Sequence, residues 1–230
     1  MYWGDPIFFT SMLLLVPGII LSLYAQFKVK STYKEYSKKQ AVSGVTGSQA
    51  SRRLLDQAGL SDVAIEEIPG NLTDHYDPRG RVLRLSQGVA RSNSLAALGV
   101  AAHETGHAIQ DAKGYVPMKI RAAVVPAASF GSSMGPMIFF AGIIFSTSHT
   151  LMNIGIVLFT AAVIFQIVTL PVEFDASSRA MQLLQSNGLV VQSEAQGARK
   201  VLTAAAMTYV AAALMSTLSL VRMVLISREN

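Results

Sequence analysis

The chain has 230 residues, 51% hydrophobic and only 14% charged, and contains no cysteine. With a mean hydropathy of +0.40, this excludes an ordinary water-soluble domain and a disulfide scaffold, and leaves His and carboxylate as the only strong zinc ligands. The net charge of +5 would suit an acidic partner, but 14 of the 19 Lys and Arg lie between Lys28 and Arg121, with three more at Arg179, Arg199 and Lys200. That clustering is the signature of loops on the cytoplasmic side of a membrane, so no nucleic-acid partner is expected.

Residues 7–27, 122–172 and 201–221 hold no Asp, Glu, Lys or Arg, and such stretches predict membrane spans. The first predicts one helix, Ile7–Tyr24, bracketed by Trp3 and Tyr24 as interfacial aromatics and retained as a signal anchor. The second, 51 residues long, predicts a helical hairpin broken at Ser146–Thr150, and the third a fourth helix. Gly131 and Gly135 have the small-residue spacing that lets membrane helices approach closely. The basic run from Lys28 to Lys39 reads as an anchor to anionic lipid.

Between the first two spans, Thr46–Gly59 predicts a helix capped by Thr46 or Ser48, with Ala50, Leu54, Leu55 and Ala58 on its apolar face and Gly59 as its stop. Val63–Ile68 and Arg81–Ser86 predict short strands, the second entered through a turn at Asp77-Pro78-Arg79-Gly80. After Arg91-Ser92-Asn93-Ser94, Leu95–Asp111 predicts a helix that is too short and too polar to cross a bilayer.

That helix carries His103-Glu104-Thr105-Gly106-His107. Histidines four residues apart share one helix face and can bind one zinc ion, while the adjacent Glu104 can serve as a base for water. With only four histidines in the chain, the pattern would arise by chance at roughly the 0.2% level. Catalytic zinc needs a third protein ligand. Downstream of the motif a metzincin has a third histidine, where this chain has Gln110 and Lys113, so that class is excluded. His149 should lie across the membrane from the motif, and His75 is a weaker alternative on the same side. The hairpin returns the chain to the side it left, which favours Glu173 as third ligand. A helix starting near Pro171 would put Glu173 in its first turn, where the lesser alternative is a cap or dipole partner. Asp175 is an alternative ligand or an acceptor for an imidazole N–H, Asp111 a further acceptor. Arg179, Tyr76 and His75 are candidates to stabilise an oxyanion, with Arg179 equally able simply to pair with Asp175.

Asp74-His-Tyr-Asp-Pro78, Val82–Ser86, Ala101–Gln110 and Leu170–Ala180 together resemble the bacterial membrane zinc metallopeptidases called YugP-like, or neutral zinc metallopeptidase family 2. More distantly the chain is similar to HtpX-like and CAAX prenyl proteases. The resemblance spans nearly the whole chain and implies that Glu173 is the third ligand. The chain departs from the distant pattern at Ser177, where an aspartate would stand, and the role of that aspartate in supporting a histidine could pass to Asp175.

The resulting expectation is a mainly α membrane protein with four transmembrane helices and a small α+β, zincin-like (gluzincin) cytoplasmic domain. Its parts are residues 1–27 (first span), 28–121 (cytoplasmic domain), 122–172 (hairpin), 173–200 (third-ligand helix) and 201–230 (fourth span and tail). The function expected is zinc-dependent endopeptidase at the cytoplasmic face of the plasma (inner) membrane, acting on a peptide or membrane-protein substrate laid against the Arg81–Ser86 strand. Glu104 is the expected catalytic residue, Zn2+ the cofactor, the lipid bilayer the surroundings, and a homo-oligomer or membrane partner protein is compatible with the sequence. The rival is a non-catalytic membrane adaptor keeping a structural zinc, against which the intact Glu104 argues. A transporter is disfavoured by spans without charge.

Overall fold

A computed structural model of the chain describes residues 6–145 and 148–229. Its elements in order are α1 (Pro6–Leu13), α2 (Val16–Tyr36), α3 (Gly47–Gln57), β1 (Ala64–Ile68), β2 (His75–Asp77), β3 (Val82–Ser86), α4 (Gln87–Ala90), α5 (Leu95–Ala112), α6 (Val116–Ile144), α7 (His149–Ser186) and α8 (Gln192–Glu229). The protein is mainly helical with one small sheet, and four helical stretches are long and apolar enough to cross a membrane: Thr10–Tyr36, Val116–Ile144, His149–Ser186 and Gln192–Arg228. The chain divides into two compact units.

The first unit comprises residues 1–25, 119–170 and 208–230. The single first helix expected from composition is interrupted after Leu13, because Pro17 has no N–H for the Leu13 carbonyl and its ring crowds that position. Pro17 instead occupies the first turn of α2, where a missing N–H costs nothing. Trp3 lies outside the described residues, as do Ser146 and Thr147 of the expected hairpin tip. Gly131 and Gly135 fulfil the small-residue reading. A Cβ at Gly131 would stand 2.0 Å from the Leu158 carbonyl oxygen, and one at Gly135 would stand 2.9 Å from the Phe159 nitrogen. The backbones of α6 and α7 therefore touch here, which only glycine permits. Phe139, Met152, Met223 and Ile226 form a buried apolar cluster in this unit.

The second unit comprises residues 26–118 and 171–207. Its α3 is closed by a capping box: Thr46 Oγ1 accepts from the Gln49 N–H, and Gln49 Oε1 from the Thr46 N–H. Ala50, Leu54 and Leu55 are fully buried, whereas Ala58, expected on the same face, is the exposed C-cap. Gly59 takes φ +74, the left-handed conformation that ends helices. The strand order is β1-β3-β2, with β1 parallel and β2 antiparallel to β3. Asp77 Oδ1 accepts from the N–H groups of Arg79 and Gly80 at the turn joining β2 to β3. This topology corrects one expectation. The Arg81–Ser86 segment is the central strand, hydrogen-bonded on both sides, so no peptide can pair with it; the edge strands are β1 and β2.

Ser94 caps α5, its Oγ accepting from the Ala97 N–H. Leu95, Ala96, Leu98 and Ala102 pack into one core with residues of α3, α7 and α8, and Ala97, Ala101, Ala108 and Ile109 into a second with Leu83 and Leu85 of β3. The zinc-motif helix is thus buried on nearly all sides, and the sheet lies along one flank of it.

Candidate metal centre

Glu173 does not begin a helix. Helix α7 runs unbroken from His149 to Ser186 with Pro171 inside it, at the loss of one backbone hydrogen bond. Glu173 therefore sits within the helix, which removes the cap and dipole roles as its explanation. It is 1% exposed.

Gly106 brings α7 to it. A Cβ at this position would lie 2.9 Å from the Ala176 carbonyl oxygen and 3.3 Å from Ala176 Cα, so α5 and α7 meet backbone to backbone between the two histidines, at the residue next to His107. His103 Nε2 lies 3.1 Å and His107 Nε2 3.6 Å from the same oxygen, Glu173 Oε2. The imidazole rings stand edge to face, 4.7 Å between centroids. The three donor atoms all lie within 4.8 Å of one another. Ligands at about 2.0–2.1 Å from a tetrahedral zinc are about 3.3 Å apart, so the two measured nitrogen-to-oxygen distances bracket the value zinc requires.

The hydrogen bonds behind the histidines determine which atoms face this point. Buried Gln110 donates from Nε2 to the Val172 carbonyl at 2.8 Å and to Asp175 Oδ2 at 2.7 Å. Both partners only accept, so the amide nitrogen must be on that side and Oε1 must face His107 Nδ1, 2.9 Å away. His107 accordingly carries its proton on Nδ1 and presents the Nε2 lone pair forward. Ser177 Oγ, 3.2 Å from His103 Nδ1, can accept the corresponding proton from the other imidazole. Two nitrogen lone pairs and a carboxylate thus converge where only a cation makes the arrangement favourable. Burial alone would lower the pKa of His107, yet hydrogen bonding to Glu173 and the charge of Glu104 raise it. The pocket draws positive charge onto whatever can carry it.

Glu104 stands beside the two histidines, partly exposed, with Oε2 accepting from the Tyr76 backbone N–H at 3.2 Å. Burial raises its pKa, against the opposing influence of His103 and His107. A raised carboxylate pKa makes a better proton acceptor.

The remaining candidates fall outside the triangle. Asp175 is not among the three clustered donors; it accepts from Gln110 and, at 2.5 Å, from Arg179 Nε. It reaches His107 only through Gln110. The supporting contact to His103 stays at position 177, through serine, and does not pass to Asp175. Asp111 accepts from the Tyr76 hydroxyl at 2.9 Å rather than from an imidazole, and this contact, together with burial, leaves that phenol firmly protonated. His75 is exposed with Nδ1 2.9 Å from the Thr73 carbonyl. His149 opens α7 in the other unit. Two participants escaped the sequence reading. Gln110 enters the sequence reading only where a metzincin has a histidine, though its position three residues after His107 on α5 is a signal, and nothing in the motif's spacing singles out Gly106.

Residues 11–228 match the family described as "Putative neutral zinc metallopeptidase". The chain is 49% identical over 213 residues to the "Putative membrane protease YugP" of Bacillus subtilis (strain 168), covering 93% of this chain and 94% of the relative. No solved structure matches the chain. A family match over nearly the full length, reached independently of the His103–His107–Glu173 geometry, leaves one conclusion: the chain belongs to the family described as "Putative neutral zinc metallopeptidase".

Proposed function

We propose that the protein is a zinc-dependent endopeptidase of zincin-like (gluzincin) type, working at the cytoplasmic face of the plasma membrane. His103, His107 and Glu173 hold the metal and Glu104 is the catalytic base. The observation that carries this reading is the pair of distances from Glu173 Oε2 to the two imidazole Nε2 atoms, with a glutamate that is not a ligand beside them. A structural zinc needs no such base, which is why the adaptor reading ranks below it. The cytoplasmic assignment is supported by the clustering of Lys and Arg in the loops flanking the spans.

Zinc bound there would polarise a peptide carbonyl and lower the pKa of its water from 15.7 to about 7. The chain's own residues do the rest. Ser177 and Gln110 hold the imidazoles in the tautomer that presents Nε2. Asp175, itself paired with Arg179, fixes Gln110. Glu104 takes a proton from the attacking water on a carboxylate oxygen and returns it to the leaving amine nitrogen. The Tyr76 N–H steers that carboxylate and ties the base to edge strand β2, beside which an extended peptide or unfolded membrane-protein segment can lie.

The test is zinc content per protomer and cleavage of an unfolded protein such as casein, in detergent, for wild type, His103→Ala, Glu104→Gln and Glu173→Gln. One zinc in wild type and Glu104→Gln, loss in the other two variants, and cleavage by wild type alone are expected. Normal turnover by Glu104→Gln would sink the mechanism, and zinc without cleavage in wild type would favour the adaptor.

A further inference from the structure

Helices α7 and α8 enclose a groove of about 410 Å³ on the second unit, lined by Phe174, Met181, Leu202 and Ala206 among apolar residues and by Ser177, Ser178, Gln182, Gln185, Thr203 and Arg199 among polar ones. Apolar and polar residues interleave along both helices, with an apolar residue last at one end and a polar one last at the other. The helices are antiparallel, so Phe174 and Ala206 share one end, and Arg199 is the α8 residue of the lining furthest toward the Gln185 end. Seven residues separate Ala206 from Arg199, roughly 10 Å along the helix. At the apolar end both helices adjoin runs without a charged residue, 122–172 and 201–221. At the other end Arg199 is exposed, and no described acidic side chain pairs with it. Ser178, Gln182 and Gln185 of the same lining offer hydroxyl and amide donors, and no carboxylate lines the groove.

We propose that this groove binds one anionic phospholipid, with its phosphate on Arg199 and an acyl chain lying along Leu202, Phe174 and Ala206 toward the bilayer. The charge complementarity is specific. A zwitterionic lipid would bring its own cation against Arg199, and an uncharged apolar segment would leave the guanidinium without a partner. Guanidinium and phosphate form two parallel charged hydrogen bonds, and a basic site between membrane helices on the cytoplasmic side is where anionic headgroups are held. Ser177, which lines the groove, is also the residue 3.2 Å from His103 Nδ1. The lipid would therefore bear on the helix face that supports the metal centre, although its binding does not depend on the protease reading.

Native mass spectrometry of the full chain in detergent tests this directly, with phosphatidylglycerol and phosphatidylcholine of identical acyl chains added in turn. Wild type should carry one phosphatidylglycerol more tightly than any phosphatidylcholine. Arg199→Gln should weaken that adduct about fivefold, the worth of one cation at an anionic headgroup, and Arg199→Lys, which keeps the charge but not the two-pronged contact, should fall between the two. Ala206→Phe, which fills the apolar end, should weaken it while leaving the charge in place. Lys38→Gln, which removes one charge from the basic run elsewhere, should leave it unchanged. Inorganic phosphate at equal concentration should not displace the lipid. Equal retention by wild type, Arg199→Gln and Ala206→Phe would overturn the proposal. So would equal binding of phosphatidylcholine, displacement by inorganic phosphate, which would make this a simple anion site, or a dimer of wild type that excludes lipid and is split by Ala206→Phe.

Discussion

Gly106 and Ala176 meet backbone to backbone, so close that a single added carbon on Gly106 would stand 2.9 Å from the Ala176 carbonyl oxygen. This contact sets the separation of α5 from α7, and with it the distance from both histidines to Glu173. The clashing atom is main chain, which cannot swing aside as a side-chain end can. Gly106→Val should therefore push α7 away, at a cost of about 1–3 kcal/mol for overpacking, and pull Glu173 off the metal point. Zinc content measured at limiting free zinc should fall, while Gly88→Val, at a site where a Cβ meets only the Tyr33 hydroxyl at 3.9 Å, should keep it. Full zinc occupancy in Gly106→Val would show that the crossing does not position the ligand.

Gln110 holds His107 by one oxygen and is itself held through one nitrogen by two acceptors. Gln110→Leu keeps the side-chain volume but removes the acceptor that orients the imidazole. Loss of such a support typically weakens a metal site by about 10- to 100-fold, and competition with a chelating dye should show a change of that size. Gln110→Glu offers the oxygen back to His107 but faces Asp175 and the Val172 carbonyl without a donor, so it should not restore wild-type affinity. An affinity in Gln110→Leu within about twofold of wild type would rule out this role, given the usual size of the effect.

The acid behaviour of the β2–β3 turn follows from Asp77. The Arg84 guanidinium, donating at 2.8 Å, and the N–H groups of Gly80 and Arg79 hold its carboxyl below the usual carboxylate range. A depressed acid stabilises the folded state fully above its unfolded pKa, about 3.9, and that contribution is lost as pH falls through the lower folded value. Hydrogen exchange across residues 75–86 should therefore show protection, corrected for intrinsic rates, that is flat from neutral pH to about pH 5 and declines below about pH 4. Asp77→Asn should lower protection already at neutral pH and flatten the acid decline. A wild-type decline centred near pH 6 would assign it to another group.

How much of this was open to a reader of the sequence depends on the range of the interaction. The four apolar stretches, a cap at Thr46 and the zinc-motif histidines on one helix are encoded locally, by charge, by a turn of helix or by a three-residue spacing, and each has its counterpart in the structure. Proline had the opposite effect at its two decisive positions. Pro17 split a helix expected to be continuous, because it fell where the Leu13 carbonyl needed a donor, whereas Pro171 failed to start the helix it was expected to start, because the chain on either side was already committed to α7. The β2 strand, three residues long, has no periodicity to detect, and only its pairing with β3 defines it. That same pairing removed Arg81–Ser86 from the sheet edge. Gln110, Gly106 and Ser177 act across the α5–α7 contact, which no spacing within either helix expresses.

Ser177 offers the sharpest separation between a supporting and an incidental contact. Its hydroxyl is 3.2 Å from His103 Nδ1, at the position where more distant relatives are expected to carry an aspartate. Ser177→Ala should loosen His103 and weaken zinc by about tenfold, the low end for loss of such a partner. Ser177→Asp would place a charged acceptor against the same proton. Carboxylate–imidazole pairing raises ligand basicity, so zinc affinity should be kept or increased, provided the side chain reaches Nδ1. The readout that distinguishes support from packing is this reversal. If Ala and Asp both weaken zinc to the same extent, position 177 matters for its size in the crowded α5–α7 contact. If Ala weakens and Asp restores, the hydroxyl serves as a hydrogen-bond acceptor and the serine is a milder form of the same device.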